Sequence, residues 1–218
     1  MRERAFTATK DNSTYMLVLT AFFTAIIILM AFTPLGYIPL VVINATIIHI
    51  PVILGALFCG PKRGAFLGFV FGMTSFIKNT VMPSSLSAFV FSPVLAASMI
   101  GPSGIIKSTL ICFVPRILVG VIPYFVYVGF TKLVKSSAGK YIGYAIAGAV
   151  GALTNTLLVM PGIYLLYKDD YAKALSIEPD AVSATIMGII SFNGVIEAIV
   201  AAVLVAAIGA VLAKITKA

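Results

Sequence analysis

Along this chain the apolar positions do not alternate with polar ones, nor do they form the single stripe of a helix lying on a soluble core. They run together in long blocks, at about 15–33, 44–59, 64–77, 105–130, 141–167 and 182–213, separated by short polar or Pro/Gly-rich pieces. A helix apolar on all sides needs an apolar surround, and about 20 such residues match the hydrocarbon thickness of a bilayer. The pattern therefore predicts about six transmembrane helices. Pro115 and Pro123 predict kinks in the fourth. A further apolar stretch, 86–100, is bracketed by Pro83 and Pro102, interrupted by Pro93 and short for a crossing. It is read as a long external loop with helical parts, because counting it as a span reverses the sidedness of everything that follows.

Between Phe32 and Gly72 the pattern changes character. Pro34-Leu35-Gly36-Tyr37-Ile38-Pro39 is apolar but cannot continue a helix, since proline removes a backbone donor. A helix is expected to restart at Asn44 and to carry His49, the single histidine, to Gly60-Pro61-Lys62-Arg63. Gly64, Gly68 and Gly72 follow at four-residue spacing, which predicts a close helix–helix seam. In sequence order these pieces read as a lid, a pocket wall, a basic turn and a packing surface.

Composition and charge sharpen this picture. Of 218 residues, 61% are hydrophobic and 10% charged, too apolar for a soluble domain, so residues 1–218 are read as a single transmembrane domain of an all-α integral membrane protein. The net charge of +8 comes in short clusters between apolar runs, which is the positive-inside pattern and not a nucleic-acid surface. Arg2, Arg4 and Lys10, then Lys62 and Arg63, then Lys132, Lys135 and Lys140, then Lys214 and Lys217 fall on one side, expected to be cytoplasmic together with both termini. The stretch 168–180, read as a loop and holding Asp169, Asp170, Glu178 and Asp180, falls on the other, external side. Basic residues before a long apolar run imitate a secretory signal, but the run is too long and lacks a cleavage site, so it is read as the first retained helix. Cys59 and Cys112 show no metal or disulfide spacing. They are read as core residues, and no metal is expected.

Charges and amides inside spans are costly, so each is a candidate for function. Arg116 lies near the middle of the fourth run and Glu197 near the middle of the sixth, four residues after Asn193 and on the same helical face. Two readings stand for them. Either Arg116 and Glu197 pair with each other and hold the bundle, or Arg116 meets an anionic ligand while Asn193 and Glu197 meet its hydroxyl or amide groups. His49, Lys78 and Tyr37 in the lid stretch join the binding candidates. Asn44 either contacts ligand or caps its helix. Asn155 either contacts ligand or extends the small-residue stripe Gly143, Ala147, Gly151 as interhelical glue. Lys107, nine residues before Arg116, faces the other way on a straight helix and is read as an interfacial anchor. Catalytic patterns fail: Gly55 and Gly60 have the first spacing of a phosphate loop, but Pro61 stands where lysine is required. No catalytic residue and no cofactor is expected. The best remaining case for an intramembrane enzyme uses His49 with Glu197 as a base pair.

The order Phe32-Thr-Pro-Leu-Gly-Tyr-Ile-Pro39, Asn44-Ala-Thr-Ile-Ile-His49, then Pro51-Val-Ile-Leu-Gly-Ala56 and Gly60-Pro-Lys-Arg-Gly64 resembles the substrate-binding S components of energy-coupling factor (ECF) vitamin transporters. The resemblance covers essentially the whole chain. Its Thr-Pro-Leu-Gly-Tyr-Ile-Pro and Asn-Ala-Thr-Ile-Ile-His segments look most like the pantothenate-specific subgroup. It implies the ECF S-component fold in the plasma membrane of a bacterium, crossing it several times. It further implies capture of a vitamin from outside, and docking on a transmembrane coupling protein with two ATPase subunits. Pantothenate, a small hydroxylated amide with one carboxylate, suits a buried arginine with asparagine and histidine partners. Riboflavin, folate and hydroxymethylpyrimidine are the alternative ligands. The resemblance also places the small pair Ala21 and Ala25 of the first helix at the coupling-protein face; the competing reading is small-residue packing inside the bundle.

Overall fold

Helix α1 (Glu3–Phe32) buries Phe23, Ile27 and Ala31, one residue per turn, and leaves Leu17, Val18 and Phe22 on its outer side. This computed structural model describes residues 3–39, 44–83 and 85–215 of the chain, without the side chains of 3–12, 37–39, 44–45 and 137. The helix stops before Pro34, which has no amide hydrogen and pushes its predecessor toward extended backbone. A 3-10 turn (Pro34–Gly36) leads into a short antiparallel ribbon, β1 (Tyr37–Pro39) with β2 (Asn44–Thr46), in which Tyr37 faces Thr46 and Pro39 faces Asn44.

The second helix differs from the expected 44–59. Helix α2 spans His49–Cys59, its N-cap is Ile48, and Asn44 lies in β2, so Asn44 does not cap it. Proline decides the start. A helix begun at Asn44 would require Pro51 to donate to the Ile47 carbonyl, and Pro51 has no donor; started at His49, it holds Pro51 in the first turn, where none is needed. The Ile47 carbonyl accepts from Ile50 N at 3.0 Å instead. At 11 residues α2 is about 17 Å long, roughly half the hydrocarbon thickness, and almost every residue in it is buried. Gly60, at φ 86°, turns the chain in a conformation that side-chain-bearing residues avoid, and Pro61 starts α3 (Pro61–Val81).

The glycine seam holds α3 against the next long helix. A Cβ on Gly64 would collide with the Gly120 carbonyl, one on Gly68 with the Arg116 carbonyl, and one on Gly72 would fall 2.8 Å from the Phe113 ring. The stretch 86–100 is helical in parts: a 3-10 turn (Ala88–Phe91), then α4 (Pro93–Ile100). The fourth apolar run is two helices, α5 (Ser103–Val119) and α6 (Ile122–Leu133), broken at Gly120, with Pro123 in the first turn of α6 and Pro115 kept inside α5.

The fifth run also differs from expectation. Helix α7 spans Ser137–Leu175, so most of the acidic stretch is helix and not loop, and only residues 176–180 connect it to α8 (Ala181–Ile189). Tyr167, at the expected end, marks the kink (φ −136°, ψ 16°) where the helix changes direction and continues. Lys168 reaches Asp180 at 3.4 Å across that connection, but the pair is solvent-exposed and contributes little. A π-helical turn (Ile190–Gly194) joins α8 to α9 (Val195–Ile215).

Among the described residues four stretches are long and apolar enough to cross a membrane: Ser13–Phe32, Ser103–Leu133, Ala138–Leu175 and Ala181–Ile215. Their outward surface is rich in exposed apolar side chains such as Leu165, Ile199 and Val203, a surface suited to lipid. The protein is an all-helical membrane protein apart from the ribbon.

Candidate functional site

A cavity of about 260 Å³ opens between α3, α5, α7 and the α8–α9 unit, with β2 and the Ala88–Phe91 turn at its margin. Five of the sequence candidates line it: Lys78, Arg116, Asn155, Asn193 and Glu197.

Arg116 is placed by its neighbour. Pro115 cannot donate to the Ile111 carbonyl one turn back, and Arg116 Nη1 donates to that carbonyl at 2.8 Å. The guanidinium is thereby folded back along its own helix. Its carbon lies 4.7 Å from the centre of the Phe91 ring and 5.6 Å from that of Phe71, distances at which aromatic faces attract a cation. Arg116 is 6% exposed, so this charge is held inside the protein by a carbonyl and two rings.

Glu197 faces the cavity from α9. Its Oε1 accepts from Thr46 N at 2.9 Å and its Oε2 accepts from the Thr156 hydroxyl at 3.3 Å. The two bonds tie the ribbon, α7 and α9 together at one carboxylate. These partners come from β2 and α7, and the Arg116 charge also acts electrostatically on Glu197, so pairing within the bundle and ligand contact both stand as readings of the two residues.

Asn193 sits in the π turn, where the extra residue per turn displaces the backbone from the regular helical path. Its Oδ1 is buried, as is that of Asn155, and neither has a hydrogen-bond partner among the described residues. A buried amide oxygen without a donor is costly unless a ligand or water supplies one. Asn155 thus does more than extend the small-residue stripe. Gly151 and Ala147 make close contacts of that stripe, with a Cβ on Gly151 falling 2.7 Å from Ile53 Cγ1 and Ala147 wholly buried, while Asn155 reaches the cavity.

His49 stands apart. It is 1% exposed and does not line the cavity, and neither ring nitrogen has a hydrogen-bond partner, Glu197 included, among the described residues. The backbones of Tyr37 and Asn44 lie in the ribbon, but their side chains lie outside the described residues. Lys107 lies over the Tyr167 ring, 5.5 Å from its centre, away from the cavity. Sequence reasoning missed Thr74, Ser75 and Asn79, which line the cavity beside Lys78. Their signal was present as a polar stripe at 74, 75, 78 and 79, on one face of the second half of α3. It also missed Thr156 and Phe91; the second sits in an irregular segment whose path no periodicity predicts.

The model of the family described as "ECF transporter, substrate-specific component" matches residues 15–209 of this chain. This chain belongs to that family. The S component is 36% identical over 174 residues, 79% of either chain, to the Pantothenic acid transporter PanT of Lactococcus lactis subsp. cremoris. It is 33% identical over 214 residues, 95% of its own length and 96% of the relative's, to the Pantothenate transporter PanT of Leuconostoc mesenteroides subsp. mesenteroides. Family and relatives are transporters, in keeping with a cavity built around charge and amide groups between membrane helices.

Proposed function

We propose that this S component binds pantothenate in the cavity of Arg116, Asn155, Asn193 and Glu197 and supplies it to an ECF module for import across the plasma membrane of a bacterium. The observation that carries the reading is the chemistry of the lining. Its charged side chains among the described residues are Lys78, Arg116 and Glu197, which with Glu197 ionised leaves one net positive charge for one carboxylate. The guanidinium is the partner for that carboxylate, because its planar fork matches two oxygens. Asn155 and Asn193 offer acceptors for the amide N–H and hydroxyls of the vitamin, and Glu197 is a further acceptor. Lys78, at the margin of the cavity, draws the anion in. The names of both relatives support the choice of pantothenate.

In this reading the chain crosses the membrane six times. The shorter α2 and the more polar α3 complete the bundle, and the basic clusters, with both termini, face the cytoplasm. The partners are a transmembrane coupling protein and two ATPase subunits, with Ala21 and Ala25 on the docking face. Calorimetric titration of the purified chain with pantothenate tests the reading. Arg116→Lys and Arg116→Ala should each lose about 1.5–3 kcal/mol of binding free energy while folding normally. Pantothenate binding equal to the parent in both variants would make Arg116 structural.

A further inference from the structure

A second cleft, of about 230 Å³ and sharing no lining residue with the first, lies between the first turns of α7 and the last turns of α9. Its lining is Lys140, Tyr141, Tyr144, Ala210, Ala213 and Lys214. Two of these six side chains are cations, and no carboxylate lines the cleft among the described residues. Lys140 is the third residue of the membrane-crossing stretch Ala138–Leu175, and Lys214 the last but one of Ala181–Ile215. Both charges therefore stand where the apolar part of each helix ends, at the depth of lipid headgroups.

The walls are built for an occupant that is anionic at one end and apolar at the other. Ala210 and Ala213 keep the α9 side low. Tyr144 forms the floor: it is 6% exposed, stacks on Tyr127 with ring centres 4.8 Å apart and planes 2° apart, and stacks on Phe58 at 6.0 Å. Gly209 lets that ring sit close, since a Cβ there would fall 3.1 Å from Tyr144 Cγ. The floor is thus a rigid aromatic surface. Tyr141 of the lining is exposed, as are Ile142, Val211 and Ile215 outside the cleft, so its open side continues into the lipid-facing surface. Lys132 and Lys135, at the end of α6 and in the short turn before α7, add positive charge at the same end without lining the cleft.

We propose that this cleft is a site for the phosphate of an anionic phospholipid headgroup, held between Lys140 and Lys214, with the acyl chains running down the exposed apolar face beside it. A free phosphate would meet the same two lysines, but it would leave the apolar mouth unused. A lipid uses both. The site does not involve the pantothenate cavity, so it stands or falls independently of that reading.

Native mass spectrometry of the purified full chain, exchanged into phosphatidylglycerol or phosphatidylcholine micelles, reads the site directly. Phosphatidylglycerol should be retained in preference to phosphatidylcholine. The double variant Lys140→Gln/Lys214→Gln should retain about twenty- to thirtyfold less, taking about fivefold per lysine near a membrane surface. The control Lys132→Gln/Lys135→Gln, which removes the same charge beside the cleft, should stay within about twofold of the parent, since a charge outside the site contributes only screened attraction. Both pairs are exposed, and unchanged thermal unfolding of each variant establishes that the fold is intact. Equal losses in the two variants would reduce the effect to diffuse charge and overturn the site. Equal retention of the two lipids would do the same. Displacement of phosphatidylglycerol by millimolar inorganic phosphate would assign the cleft to free phosphate and overturn the lipid. Unaltered lipid retention in Lys140→Gln/Lys214→Gln would overturn the site as well.

Discussion

Arg116 and Glu197 are opposite charges near the middle of two membrane-crossing stretches, each with local partners, and the Arg116 charge also acts on Glu197. Arg116 takes the Ile111 carbonyl that Pro115 leaves without a donor, and Glu197 takes the Thr46 amide and the Thr156 hydroxyl. Both line the cavity, so these local partners orient two charges that face it. Glu197→Gln tests the second half of this. A glutamine has one acceptor oxygen, so one of the two bonds is lost and an N–H group faces a donor. Hydrogen bonds to a charged group are worth about 1.5–3 kcal/mol, and pantothenate affinity measured by calorimetry should fall at least tenfold. A variant that binds like the parent would confine Glu197 to joining the ribbon and the two helices.

Helix α3 shows how an element positions a site it barely enters. Its glycines at 64, 68 and 72 bring it against α5 so closely that Gly68 lies on the Arg116 carbonyl, and the same helix presents Thr74, Ser75, Lys78 and Asn79 to the cavity. The seam therefore sets the width of the site. Gly68→Leu should force the helices apart, with a loss of about 1–3 kcal/mol expected of overpacking, a lower thermal midpoint and weakened pantothenate binding. Gly129→Leu is the comparison: Gly129 is exposed on α6 and its Cβ would meet nothing within 4 Å. It should match the parent in both measurements. If Gly68→Leu also matches, the seam does not control the site.

For the whole molecule, the question is how a binding subunit meets the rest of a transporter. Phe23, Ile27 and Ala31 of α1 face the bundle, whereas Ala21 and Ala25 are exposed on the other side. Small-residue packing inside the bundle is therefore not what these two alanines do in the isolated chain. Two small residues one turn apart on an outward face permit close approach of a partner helix. Ala21→Trp and Ala25→Trp should bind pantothenate as tightly as the parent but lose co-purification with the coupling protein, and uptake in cells should fall by at least tenfold. Normal uptake by both variants would take this face out of the mechanism.

The sequence alone determined the features that follow from transfer into lipid and from local backbone chemistry. Apolar blocks had to become membrane helices, Pro34 had to end α1, and Gly60-Pro61 had to turn into α3, because each rests on properties of a few adjacent residues. The charged and amide residues Arg116, Asn155, Asn193 and Glu197 were visible as costs that an apolar run does not otherwise carry. The tertiary structure decided what depends on distant partners. Asn44 went to a strand and not a helix because β1 was there to pair with it and Pro51 forbade the longer helix. The acidic stretch stayed helical past Tyr167 because Tyr171 and Ala172 are buried in a cluster with Val182 and Ile186. Phe91 and Thr156 reached the cavity through long-range packing alone. His49 shows the limit from the other side: one histidine in an apolar run marks a position as unusual, but only the placement of α2 decides whether it faces the cavity or the protein interior.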